Sequence, residues 1–107
     1  MSAGPQARPA LSPDSAAARV TLCNLRGLHA RASAKFVQMA ETFESEIHVR
    51  SHNDCGEEEV LADSIMELLM LGSACGEDIT IRASGTDAAD AVAALAALVA
   101  GRFGEEE

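Results

Sequence analysis

The sequence predicts an α+β fold, an antiparallel sheet with helices packed on one of its faces. Three observations predict it. Strand-like and helix-like patterns follow one another in the order β-α-β-β-α-β-α. The two middle strands are consecutive, as in a hairpin, which suits antiparallel pairing. The length of 107 residues fits one domain with one hydrophobic core.

Residues 1–17 carry all three prolines and little periodicity, so they read as a flexible tail ahead of a domain spanning 18–104. The domain opens with RVTLCNL, a strand pattern at about 19–24, broken by Gly27. From Ala30 to about Phe43 the pattern is helical, with Phe36, Ala40 and Phe43 at i, i+4 and i+7 and Val37 beside them. Glu46–Arg50 alternates with period two, SHNDCGEEE is a polar loop, and Glu59–Ala62 is the return strand. Ser64–Leu71 is a short helix opened by Ser64-x-x-Glu67, the spacing of a capping box. Gly72 and Gly76 end it, and Asp78–Ala83 alternates again. A last helix follows Gly85-Thr86-Asp87, places Ala91, Val92, Leu95, Leu98 and Val99 on one face, and stops at Gly101. Residues 105–107 read as an acidic, solubilising tail.

Composition narrows the classes of function. The core must be built from Ala, Leu, Val, Ile, Met and three Phe, because Trp and Tyr are absent. No apolar run approaches the ~20 residues of a membrane span, and the first fifteen residues lack the order of a signal peptide. Three cysteines (Cys23, Cys55, Cys75) form no CxxC and leave an odd number, which argues against a disulfide framework and for the cytoplasm. The net charge of -9 argues against nucleic acid as a general partner. Its distribution is uneven: residues 15–40 hold Arg19, Arg26, Arg31 and Lys35 with no acid, whereas residues 41–107 hold sixteen acids against three arginines. A single basic stretch on an acidic chain is a place to hold an anion, although clustering on a solvated face produces the same pattern.

Within that stretch, His29 stands between a strand-ending glycine and the first turn of a helix. First-turn amides have no intrahelical partner and attract anions. An imidazole there is a nucleophile of near-neutral basicity beside an anion site. A phosphoryl group on its ring would accept hydrogen bonds from the amides of Ala30 and Arg31. Arg31 itself is locally misplaced, since a cation in the first turn opposes the helix dipole by ~0.3–1 kcal/mol. A bound phosphoryl group reverses that sign through pairing with the guanidinium. The spacing alone equally allows a His29 that merely caps the helix and an Arg31 that lies in solvent.

Gly27-Leu-His-Ala-Arg-Ala-Ser-Ala34 resembles the active-site signature of the HPr family of the phosphoenolpyruvate-dependent phosphotransferase system. Asp63-Ser-Ile-Met-Glu-Leu-Leu-Met-Leu-Gly72 resembles that family's second signature, and the two stand in the right order within residues 18–104. The resemblance implies an open-faced β-sandwich, four antiparallel strands with three helices on one face. It implies a phosphocarrier rather than an enzyme, with His29 phosphorylated through Nδ1 and Arg31 pairing with the phosphoryl group. The implied partners are enzyme I as donor, enzyme IIA-type proteins as acceptors and, in some members, HPr kinase/phosphorylase acting on Ser64. The run Gly27–Val37 looks like members serving the nitrogen-related branch, which leaves sugar transport and nitrogen regulation both open. Many members have proline where this chain has Ala32, and basic residues where it has Glu41 and Glu67. The second departure weakens the expectation of binding to an enzyme I from another system.

The helix after Ser64 is apolar on nearly every side. Ile65, Met66 and Met70 are expected to form a partner-docking patch, since methionine adapts to varied surfaces. A regulatory module acting through the Ser64 helix is the alternative function, and it predicts that loss of His29 is harmless. His48, His52 and Cys55 form H-x3-H-x2-C, but on a strand residues i and i+4 lie ~13 Å apart, so no metal site is expected. No cofactor is expected either, and a monomer is the simplest way to present one histidine to successive partners.

Overall fold

Strand β1 (Ser15–Thr21) forms one edge of a four-stranded antiparallel sheet and pairs with β4 (Asp78–Ser84). Strand β4 pairs in turn with β2 (Glu46–Ser51), and β2 pairs with β3 (Glu59–Leu61) at the other edge. The computed structural model describes residues 14–52 and 59–105. Period-two alternation sets the faces of the sheet. Ile47 and Val49 of β2, with Ile79, Ile81 and Ala83 of β4, are buried, while Arg50, Thr80 and Arg82 between them point the other way. Only the buried face needs a cover.

Helices α1 (Ala30–Ala40), α2 (Ile65–Met70) and α3 (Ala88–Ala100) supply it. Phe36 of α1, Leu68 of α2 and Leu95 of α3 are fully buried in one cluster with the inward residues of the sheet. Burial of each contributes about 1.5–3 kcal/mol relative to exposure. The expected open-faced arrangement of four strands and three helices is present.

Strand β1 covers Ser15–Thr21 rather than about 19–24, and α1 is shorter than expected. Strand β1 starts at Ser15, opposite Ser84, rather than near residue 19. It therefore takes in residues that composition had assigned to the tail. Ala16 and Ala18 pack on the core from this stretch, and alanine gives almost no strand signal in sequence. Helix α1 ends at Ala40 rather than near Phe43. The amides of Thr42 and Phe43 reach back only three residues, to Met39 and Ala40, which tightens the last turn. Phe43 still packs on the core, so its apolar spacing was read as more helix.

Asp87 precedes α3 but makes no side-chain cap to that helix. Its carboxylate instead accepts hydrogen bonds from the Ser45 hydroxyl and from the amides of Glu44 and Ser45, tying the chain that leaves α1 to the start of α3. The Ser45 hydroxyl, followed by the Glu44 amide, holds the Asp87 carboxyl below its ordinary value of 3.8. Asp78 is lowered in the same direction by Thr21 and Arg19, and Glu59 by its pairing with Arg82. Groups whose folded pKa is depressed add stability above the unfolded carboxylate range and lose it as pH falls through the folded value. The melting temperature is therefore expected to drop on acidification below the ordinary carboxylate range. Asp87→Asn should flatten that acid limb while lowering the neutral-pH melting temperature, as thermal melts across pH will show.

His48 and His52 have partners within the fold. His52 Nε2 lies 2.7 Å from Thr80 Oγ1, and His48 Nε2 lies 3.4 Å from a Glu46 carboxylate oxygen. Cys55 lies outside the described residues, as do the rest of 53–58, residues 1–13 and residues 106–107. No group of three metal-holding side chains occurs among the described residues.

Candidate functional site

The connection from β1 to α1 is fixed by close packing. Gly27 has φ +62°, and a Cβ there would sit 2.5 Å from the Ser73 carbonyl oxygen and 2.7 Å from Ala74 Cα. Both the left-handed backbone and the near-contact demand glycine. On either side, the Gly27 amide donates to Asn24 O at 3.1 Å and the Leu28 amide donates to Ser73 O at 3.1 Å. The buried Asn24 side chain donates to Gly27 O at 2.8 Å. Leu28 is buried, and Ser33 donates its hydroxyl to Leu28 O at 3.1 Å. These contacts determine where residue 29 emerges.

His29 is the N-cap of α1, with φ -75° and ψ -176°. Its ring is partly exposed, at 23% of its side-chain surface. Nδ1 accepts a hydrogen bond from the Arg31 amide at 3.3 Å. Nε2 lies 2.6 Å from a Glu105 carboxylate oxygen. A backbone N–H can only donate and a carboxylate can only accept. Both contacts therefore define the same neutral ring, protonated on Nε2 and with its lone pair on Nδ1. That lone pair faces the Arg31 amide in the first turn of α1. The arrangement sets a ring nitrogen capable of nucleophilic attack beside a helix N-terminus, the kind of place that can hold an anion.

Arg31 is exposed one turn into the site, and its guanidinium makes no ion pair among the described residues. The first turn of α1 holds no acid to offset the charge of Arg31. Ala30, the first helical residue, is exposed as well. Among the predicted residues, the structure thus brings His29, Ala30 and Arg31 together.

Ser64 is the N-cap of α2 and accepts from the Glu67 amide at 3.3 Å, the structural half of its expected role. Ile65, Met66 and Met70 are exposed at 40%, 66% and 75% on a helix that packs against α1. Leu25, on the loop leading to His29, is exposed at 71% and joins them as an apolar residue that sequence reasoning missed.

Sequence reasoning also missed Glu105, which it treated as part of a solubilising tail. Past α3 the chain makes a left-handed turn at Arg102–Gly104, with φ values of +59°, +55° and +77°. Phe103 is buried there, and Lys35 Nζ donates to its carbonyl at 2.6 Å. The reversal carries Glu105 back to the mouth of α1, where Asn24 Nδ2 donates to its second carboxylate oxygen at 3.2 Å. Residues 101–104, Gly-Arg-Phe-Gly, gave the only sequence signal, two glycines flanking an aromatic residue after an alanine-rich helix.

The surroundings of the site have counterparts in known proteins. A family model described as the PTS HPr component phosphorylation site matches residues 16–101. The chain is 42% identical over 87 residues to the phosphocarrier protein HPr of Cupriavidus necator, covering 81% of this chain and 93% of that protein. It is 41% identical over 87 residues to the phosphocarrier protein NPr of Shewanella violacea, covering 81% of this chain and 91% of that one. Among solved structures it is similar to an HPr from Thermoanaerobacter tengcongensis, with a TM-score of 0.77 at 38% identity, covering 86% of this chain and 99% of the other. It is also similar to an HPr from Bacillus anthracis, with a TM-score of 0.71 at 39% identity, covering 79% and 96%.

Proposed function

The chain belongs to the HPr family of phosphocarriers, and from that premise we propose that it takes a phosphoryl group onto His29 Nδ1 from phosphorylated enzyme I and delivers it to an enzyme IIA-type protein. The observation that carries this reading is the orientation of the ring. Nδ1 holds the lone pair and faces the Arg31 amide, while Nε2 is engaged on the far side.

In the first step the Nδ1 lone pair attacks phosphorus in line with the bond to the donor's phosphohistidine. The new N–P bond forms as the donor's breaks, and its electron pair returns to the donor imidazole. The Arg31 amide then hands its hydrogen bond from Nδ1 to a phosphoryl oxygen. The guanidinium of Arg31 swings over the remaining negative charge. Donor and carrier both hold phospho-imidazole, so the exchange is close to balanced and runs either way. Partners supply most of the positioning that the transfer needs. The exposed apolar residues Leu25, Ile65, Met66 and Met70 form the surface on which they dock in turn, and a cytoplasmic location suits that traffic.

The test is to incubate the protein with enzyme I and phosphoenolpyruvate and to measure its intact mass. One phosphoryl adduct that is lost on mild acid treatment is expected. An acid-stable adduct, or none at all, overturns the carrier reading.

A further inference from the structure

The geometry points to Glu105 as a positioning residue for phosphoryl acceptance: its carboxylate holds the Nε2 proton of His29 and neutralises the charge that the ring acquires when Nδ1 is phosphorylated. This inference rests on the carrier reading and goes beyond it, since it assigns a role to a residue far along the chain from the signature around His29.

Three observations carry it. The Nε2–carboxylate separation of 2.6 Å is short for a nitrogen–oxygen hydrogen bond, as expected where the acceptor is charged. Both partners are shielded, with 23% of the His29 side chain and 14% of the Glu105 side chain exposed, so water competes weakly for the contact. The approach is also built into the backbone. Arg102 and Phe103 both adopt left-handed φ values, which cost an L-residue roughly 1–2 kcal/mol each. Burial of Phe103 and the Lys35 hydrogen bond to its carbonyl hold the turn in place. Asn24, from the same loop as His29, fixes the other carboxylate oxygen. A strained turn locked from two sides delivers one carboxylate to one ring nitrogen.

The chemistry follows from proton and charge balance. A neutral imidazole attacks through Nδ1, and its Nε2 proton does not leave. The product ring therefore carries a phosphoryl group on Nδ1, a proton on Nε2 and a positive charge shared between them. A carboxylate already bonded to Nε2–H stabilises that charge as it develops, the part that a buried aspartate plays behind the histidine of a serine protease. It also selects the tautomer that carries its proton on Nε2, which leaves the lone pair on the nitrogen facing the Arg31 amide. Asn24, Arg31 through its amide, and Lys35 through Phe103 O are the polar groups set around the pair.

The test compares wild type with Glu105→Ala and Glu105→Gln. Nitrogen-15 NMR of the unphosphorylated protein is expected to show a slowly exchanging Nε2–H on His29 in wild type. That signal should be lost to water exchange in Glu105→Ala and kept in Glu105→Gln, whose amide oxygen still accepts. Phosphoryl acceptance from enzyme I should slow by about tenfold in Glu105→Ala, the size of one charge-assisted hydrogen bond. Glu105→Gln, which keeps the geometry and loses the charge, should fall between the two. An Nε2–H signal unchanged by Glu105→Ala, or an unchanged rate of acceptance, overturns the inference. The NMR measurement needs no phosphoryl donor. A wild type that resists phosphorylation therefore counts against the carrier reading, whereas a normal wild type with an indifferent Glu105→Ala counts against this inference alone.

Discussion

Alanine at position 29 is expected to abolish phosphoryl acceptance while leaving the fold nearly intact. The substitution removes the nucleophile, and no neighbouring group can replace it. Arg31 and Ala30 offer donors only, and Glu105 is a weak nucleophile already engaged by Asn24. The structural cost is limited because the ring is a partly exposed cap and Glu105 keeps its hydrogen bond from Asn24. Loss of the Nδ1 hydrogen bond to the Arg31 amide costs about 1 kcal/mol, and loss of the Nε2 contact with Glu105 a further ~1 kcal/mol or more. Each kcal/mol lowers Tm by roughly 4–8 °C for a domain of this size. Acceptance and stability should therefore separate cleanly, the first falling below detection and the second shifting modestly. The regulatory alternative acting through the Ser64 helix predicts the reverse, an unimportant His29. A His29→Ala protein that still takes up a phosphoryl group in the enzyme I assay would exclude the assignment of that residue.

Gly27→Ala is expected to be among the most destabilising single changes outside the core, at about 3 kcal/mol. The left-handed φ costs an alanine roughly 1–2 kcal/mol. The added Cβ would also meet backbone atoms of Ser73 and Ala74 at 2.5 and 2.7 Å, an overpacking penalty of about 1–3 kcal/mol. Backbone cannot rotate away as a side chain can. Relief requires the loop bearing His29 to lift from the segment after α2, so phosphoryl acceptance should fall along with stability. Gly72→Ala is the matched control. Gly72 also has a positive φ, of +67°, but nothing lies within 4 Å of a Cβ built there. Only the conformational cost, roughly 1–2 kcal/mol, should appear. Chemical denaturation of the two variants distinguishes a clash from a backbone preference, and equal losses would count against the close packing of Gly27.

The parts of the molecule that could be read from sequence are those with a strong local pattern. Alternation in Glu46–Arg50 and Asp78–Ala83 identified the central strands because one face is buried and the other is not. The helical spacing around Phe36 and Leu95 identified α1 and α3 for the same reason. His29 stood out because it lies between a strand-ending glycine and the first turn of a helix, and Arg31 because it breaks the rule that acids open helices. The elements that escaped are held by tertiary contact. Ala16 and Ala18 extend β1 by packing small side chains, which leaves no signature in residue type. Phe43 reaches the core from a tightened turn, so its spacing imitates a longer helix. Glu105 was invisible as a functional residue because its partner lies 76 positions away. The turn that brings it back depends on left-handed residues other than glycine, which no local propensity favours.

The most direct measurement is NMR of the phosphorylated protein with nitrogen-15 in its histidine rings. The account predicts phosphorus coupled to Nδ1 of residue 29, with a proton retained on the other ring nitrogen of the same side chain. Phosphorus bonded to Nε2, or found on His48, His52 or Ser64 instead, would contradict it.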